Sequence, residues 1–230
     1  MSLLFHHPLC PHSRFIRLAL AEYGVDADLF EEKVHERRED FLLIDPAGRT
    51  PVLIDDGGLV VPGAGPIAEW LDEAYGPIAP AARLMPADIA GRVETRRLMD
   101  WFNQKMFAEV TDWLVTQKVY KRFMPSHVGG GAPDMALVRA ARANIKYHLS
   151  YIGFLVSERN WLAGPRLTFA DLAAAAHISV ADYLGDVPWD ADELAKGWYQ
   201  RIKSRPSFRG LLADRVLGMT PSAVYADLDF

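Results

Sequence analysis

A chain of 230 residues, half of them hydrophobic and 24% charged, has the length for one large or two small domains and the balance of an ordinary globular protein. Its formal net charge of −5 argues against a sequence-independent grip on nucleic acid or an anionic membrane, since both need a basic surface. Cys10 is the single cysteine, which excludes an intramolecular disulfide and a metal cluster built on thiolates; no metal site is expected.

The stretch Met1 to His7 has no basic region followed by a long apolar run, so it does not read as a signal peptide. The Ala-rich stretch from Asp171 to Ala181 is too short for a membrane span. Membrane insertion is therefore not expected, and the expected location is the cytoplasm.

Leu3 to His6 reads as a buried strand. Residues 13–23 then place Phe15, Ile16, Ala19, Leu20 and Tyr23 on one helical face, and Gly24 suits the closing position of that helix. Asp28 to Val34 is a weaker strand. A short helical segment from Arg38 to Ile44 stops at Asp45-Pro46, because the residue before a proline disfavours the α conformation. Val52 to Ile54 and Leu59 to Val61, separated by Asp55-Asp56-Gly57-Gly58, predict an antiparallel hairpin, and a helix from Ala64 to Tyr75 follows. A βαβ crossover leading into a hairpin gives a four-stranded mixed sheet, an α/β thioredoxin-like domain over residues 1–78.

Gly76 to Pro80 reads as a linker, and beyond it the periodicity is purely helical. Val93, Leu98, Trp101, Phe102, Met106, Val110, Trp113 and Leu114 mark one long amphipathic helix. A loop at residues 125–133 with three consecutive glycines separates it from a second helix. That helix carries Met135, Val138, Ala141, Ile145, Leu149, Ile152 and Leu155 on one face. Thr168-Phe169-Ala170-Asp171 resembles a capping box opening an Ala-rich buried helix. A helix over about 191–203 and a short terminal one complete an all-α domain assigned to residues 88–217, with a tail at 218–230.

Cys10-Pro11-His12-Ser13 lies between the first strand and the first helix, where backbone N–H groups and the helix dipole stabilise a thiolate. Thr50-Pro51 precedes the hairpin at the place where a thioredoxin-like fold keeps a cis proline.

These motifs resemble the glutathione transferase family over nearly the whole chain. To them are added Gly48-Arg49-Thr50-Pro51-Val52-Leu53, Ile67-Ala68-Glu69-Trp70-Leu71, Leu167 to Asp171, and Trp198 to Ile202 with Arg205-Pro206. The resemblance implies that Cys10 or Ser13 faces the glutathione sulfur, and that Thr50 and Pro51 present backbone to its cysteinyl part. One departure stands out. Where the family has an acidic residue and a serine, four and three positions before Ile67, this chain has Gly63 and Ala64. In the family that pair holds the γ-glutamyl end of glutathione. Each lost hydrogen bond to a charged group costs about 1.5–3 kcal/mol, so the cleft reads as vestigial, with no cofactor and no catalytic residue expected.

Two further features invite partners. Tyr225, Asp227, Leu228, Asp229 and Phe230 give the tail the composition of a docking peptide, against the alternative that it folds back on the helical domain. Lys118, Lys121, Arg122, Arg139, Arg142 and Lys146 offer a basic face for an anionic partner, against a merely solvated face. Within the family, the missing pair and the Tyr225–Phe230 terminus resemble members that serve alphaproteobacterial cell division. This resemblance implies a non-catalytic homodimer at the division site that binds filaments of the tubulin-like GTPase FtsZ, changes their curvature and bundling, and links them to cell-wall synthesis. The alternatives are a glutathione-dependent transferase or thiol-transfer enzyme using Cys10, and a binding protein for another small acid in the vacated cleft.

Overall fold

The computed structural model describes residues 1–230. Four strands, β1 (Ser2–His6), β2 (Ala27–Glu31), β3 (Val52–Ile54) and β4 (Val60–Pro62), form one sheet of order β2-β1-β3-β4. Cys10 caps helix α1 (Pro11–Tyr23) with Pro11 in its first turn, where the missing N–H costs nothing, and Gly24 closes it at φ 68°. The helix returns the chain to β2 (Ala27–Glu31), which runs parallel to β1. This strand is shorter than the sequence suggests. Val34–Glu36 coil into one tight turn and Arg37 adopts φ 48°, which ends the extended run.

After α2 (Glu39–Ile44), β3 (Val52–Ile54) pairs antiparallel with β1 and with β4 (Val60–Pro62). Helix α3 (Ala64–Tyr75) completes the sheet domain. The mixed sheet and its hairpin are those expected from the sequence.

The next helix, α4, runs unbroken over 89–123, longer than the apolar pattern marks. It begins as an α-helix at Ile89–Asp100, widens to i→i+5 turns over Trp101–Thr111 and Thr116–Tyr120, and ends at Phe123. Helix α5 (Met135–Glu158) is capped by Asp134, whose side chain accepts from the Ala136 N–H. Helix α6 (Phe169–Tyr183) is buried along its whole length, as its alanines foretell. Asp171 closes the capping box on Thr168 and also accepts from the Leu162 N–H and the Trp198 indole N–H, tying three segments together. Helix α7 (Glu193–Lys203) and the short α8 (Arg209–Leu212) follow.

One cluster of 42 buried residues runs from Leu4, Phe15 and Ile16 of the sheet domain to Phe102, Phe169, Ile178 and Trp198 of the helical one. The two units are therefore joined by a continuous core, with α1 packed on both α3 and α6. No helix is long and apolar enough to cross a membrane.

Candidate functional site

The start of α1, the Thr50-Pro51 turn and the start of α3 adjoin one another. The Cys10 thiol donates to the Thr50 carbonyl at 3.6 Å, and its sulfur accepts from the Ser13 N–H at 3.4 Å. The Thr50–Pro51 peptide is cis, and the Pro51 carbonyl accepts from the Gly63 N–H at 2.9 Å. Cys10 thus meets Thr50, and Pro51 meets Gly63, the residue before Ala64.

Ser13 is not part of that surface. It is fully buried, and its hydroxyl accepts from the His7 N–H at 3.3 Å, so it fastens the turn before α1 instead of facing a ligand. Of the two residues that could face a sulfur, only Cys10 keeps any exposure, at 8%.

His12 is the residue that sequence reasoning missed. Its Nε2 lies 3.0 Å from the Asn103 carbonyl, an acceptor only, so Nε2 carries the proton and donates. The ring packs edge-on against Phe107 and against His177, which contacts Thr111 Oγ1 at 2.8 Å. Burial pushes the Cys10 thiol up, but hydrogen bonding and positive charge from His12 outweigh it and bring the pKa down to about 7. The available signal was the Cys-x-His spacing at the first turn of α1. What sequence could not show is that Asn103, on a distant helix, fixes the ring. The Tyr120 ring lies beside those of His7 and His35 at 5.5 and 6.2 Å, and burial raises its hydroxyl pKa well above the usual value.

At the entrance to α3 neither Gly63 nor Ala64 offers a side chain that could hold an amine or a carboxylate. Gly63 also adopts φ 89°, a conformation L residues rarely take, so a carboxylate cannot be restored there without moving the backbone.

The basic face is divided by the fold. Lys118 and Arg142, expected to be free for a partner, both pair with the Asp186 carboxylate at 2.6 Å, and Asp186 is fully buried. A buried carboxylate needs compensation, and these two cations supply it. Arg122 donates to the Gly218 carbonyl at 3.2 Å and holds the segment leading to the tail. Arg139 and Lys146 remain exposed without an ion pair.

The tail is likewise divided. Tyr225, expected as a docking anchor, is wholly buried, because its hydroxyl completes a polar network in the core. Phe230 also folds back: its ring lies 4.5 Å from that of Trp189 and 4.1 Å from the Lys203 ammonium, and its carbonyl accepts from Gln200. Asp227, Leu228 and Asp229 are exposed.

The glutathione S-transferase N-terminal domain model matches residues 4–80, and the C-terminal domain model matches residues 112–206. FtsZ-localized protein A of Caulobacter vibrioides is 42% identical over 230 residues, covering 99% of this chain and 97% of that protein. The solved structure of FzlA from C. crescentus superposes with a TM-score of 0.92 at 42% identity, over 100% of this chain and 99% of that one. A crystal structure described as a glutathione S-transferase from Sinorhizobium meliloti 1021 matches with a TM-score of 0.97 at 51% identity, over the whole of both chains. On the match of both domain models and of full-length relatives, the chain belongs to the glutathione S-transferase family.

Proposed function

We propose that this chain is a non-catalytic family member that binds FtsZ filaments at the division site in the cytoplasm, regulates their curvature and bundling, and links them to cell-wall synthesis. The observation that carries the reading is the bare entrance to α3 at Gly63-Ala64, in a chain that FtsZ-localized protein A matches along 99% of its length. With both side-chain contacts to the γ-glutamyl group gone, glutathione binding falls by orders of magnitude.

A homodimer fits this reading. Tyr147 and Phe154 on α5 are 56% and 64% exposed, and Val93 on α4 is 61% exposed. Trp101 packs against Tyr147 and Tyr151, and Arg97 and Lys105 lie among these rings, so the two helices present a mixed aromatic and charged face there. Lys121, Arg139 and Lys146 are the cations left to meet an acidic partner, and Asp227, Leu228 and Asp229 are the part of the tail left to meet a division-site protein. Co-sedimentation with GTP-polymerised FtsZ, with filament curvature read by electron microscopy, tests the reading. Enrichment in the pellet with curved or bundled filaments is expected. Absence from the pellet together with micromolar glutathione binding would overturn it.

The second reading, a thiol-transfer enzyme, is favoured by one observation: the Cys10 pKa of about 7 beside His12. Turnover of a glutathione mixed disulfide that Cys10→Ser abolishes would establish it.

A further inference from the structure

We propose that the open edge of β2 is a docking site for an extended basic segment of a partner protein, which pairs with it as a fifth strand. The proposal does not depend on the filament reading. The sheet order leaves two edges. The β4 edge is three residues long and ends in Pro62, which has no N–H to give. The β2 edge is five residues long and contains neither proline nor lysine, the usual means of blunting an edge, and Asp28 to Glu31 are all exposed.

The two faces of β2 both offer apolar side chains. Leu29, 48% exposed, is in register with Leu4 and lies on the α1 side of the sheet. There the strand borders a groove of about 360 Å³ whose lining combines Leu20, Val25, Leu29 and Leu211 with Arg17, which is paired with Asp214, and Asp26. Phe30, 44% exposed, lies on the opposite face, its ring 5.2 Å from that of Phe5 and 5.1 Å from the Arg38 guanidinium. An added strand would therefore bury apolar side chains on both faces while its backbone took the free hydrogen-bonding groups of the edge.

Charge selects the occupant. Asp26, Asp28 and Glu31 are exposed and form no ion pair. Three carboxylates along one edge repel a second copy of the same strand and attract a strand that carries lysine or arginine. The matching segment has apolar residues opposite Leu29 and Phe30 and basic residues opposite Asp28 and Glu31.

The test uses the full chain and a fluorescein-labelled octapeptide reading Lys-Val-Val-Lys twice, followed by anisotropy. Saturable binding is expected, with amide chemical-shift changes confined to 27–31 and its flanks. Methylating alternate backbone nitrogens of the peptide should abolish binding. Asp28→Lys with Glu31→Lys, or Leu29→Lys alone, should weaken it at least tenfold, whereas Asp56→Lys with Asp190→Lys, which changes the net charge as much as the double β2 variant at two exposed positions away from the edge, should not. All three β2 positions are exposed, so these variants should keep the native fold, which circular dichroism checks. Equal binding of the methylated peptide, insensitivity to the β2 variants, or no saturable binding would each overturn the proposal. So would self-association of the chain that Leu29→Lys removes, because the occupant would then be a second copy.

Discussion

Arg14 and Tyr225, 211 positions apart in sequence, are hydrogen-bonded at 2.9 Å in the interior of the protein. Both are wholly buried. The Arg14 guanidinium also donates to the Ser179 hydroxyl at 2.9 Å and pairs with Asp214 at 3.4 Å, while the Tyr225 hydroxyl donates to the Leu211 carbonyl at 2.7 Å. A buried cation survives only with such partners. The tail thus fastens the first helix of the sheet domain to the helical domain. Tyr225→Phe should cost about 1–3 kcal/mol, because it strips a partner from a buried carbonyl and a buried guanidinium N–H. Chemical denaturation would read this as a lower midpoint at unchanged slope.

Shortening the tail should act in two steps. Deleting residues 227–230 removes Phe230 from its seat on Trp189 and Lys203, and should lower stability by about 1–2 kcal/mol while leaving Tyr225 in place. Deleting residues 222–230 also removes Tyr225 and the Val224 carbonyl that accepts from Lys203, and should cost several-fold more. If the shorter deletion alone unfolded the protein at 37 °C, the exposed tip could not serve as a docking element separable from the fold.

Cys10 should react with iodoacetamide on a profile that rises through pH 7, well below that of an ordinary thiol, because the thiolate is the reactive form. Removing the neighbouring ring in His12→Ala should move the profile upward by at least one pH unit. Mass spectrometry of the single alkylated site gives the rates directly, and an unshifted profile would remove His12 from the account.

Acid should weaken the fold before carboxylates protonate. Burial holds His6, His7 and His148 neutral and lowers each pKa from 6.5 to about 4. A depressed folded-state pKa means that the unfolded chain takes up the proton first. Stability is then complete above pH 6.5 and declines as pH falls toward 4. Between pH 6.5 and 5 each histidine should withdraw about 2 kcal/mol. Glu94, whose pKa is lowered to about 2 by Arg97 and Arg159, adds its own loss only below pH 4.5. A melting temperature that is flat from pH 7 to 5 would contradict this.

The two halves of the basic face should separate under mutation. Lys118→Ala combined with Arg142→Ala leaves the Asp186 carboxylate buried and uncompensated, which should cost about 3–5 kcal/mol. Arg139→Glu should leave the melting temperature within about 1 °C but weaken association with an acidic partner, in a manner that added salt reproduces.

The amino-acid sequence by itself determined the order of elements, because hydrophobic period, capping residues and turn residues are local signals. Gly24 after α1, the Asp55–Gly58 turn and the Thr168–Asp171 box each act within a few residues, and each stands where local chemistry puts it. Family resemblance also drew attention to Cys10, Thr50, Pro51, Gly63 and Ala64. Only the tertiary structure decided how the polar residues are used, since a charged side chain carries no mark of its partner. Arg142 and Arg139 look alike in sequence, yet one compensates buried Asp186 and the other faces solvent. Tyr225 and Leu228 look alike as anchors, yet the first lies in the core because Arg14, 211 positions away, needs an acceptor there. The His12 ring is held by a carbonyl 91 positions away, and the open edge at β2 follows from strand order, which no short window of sequence contains.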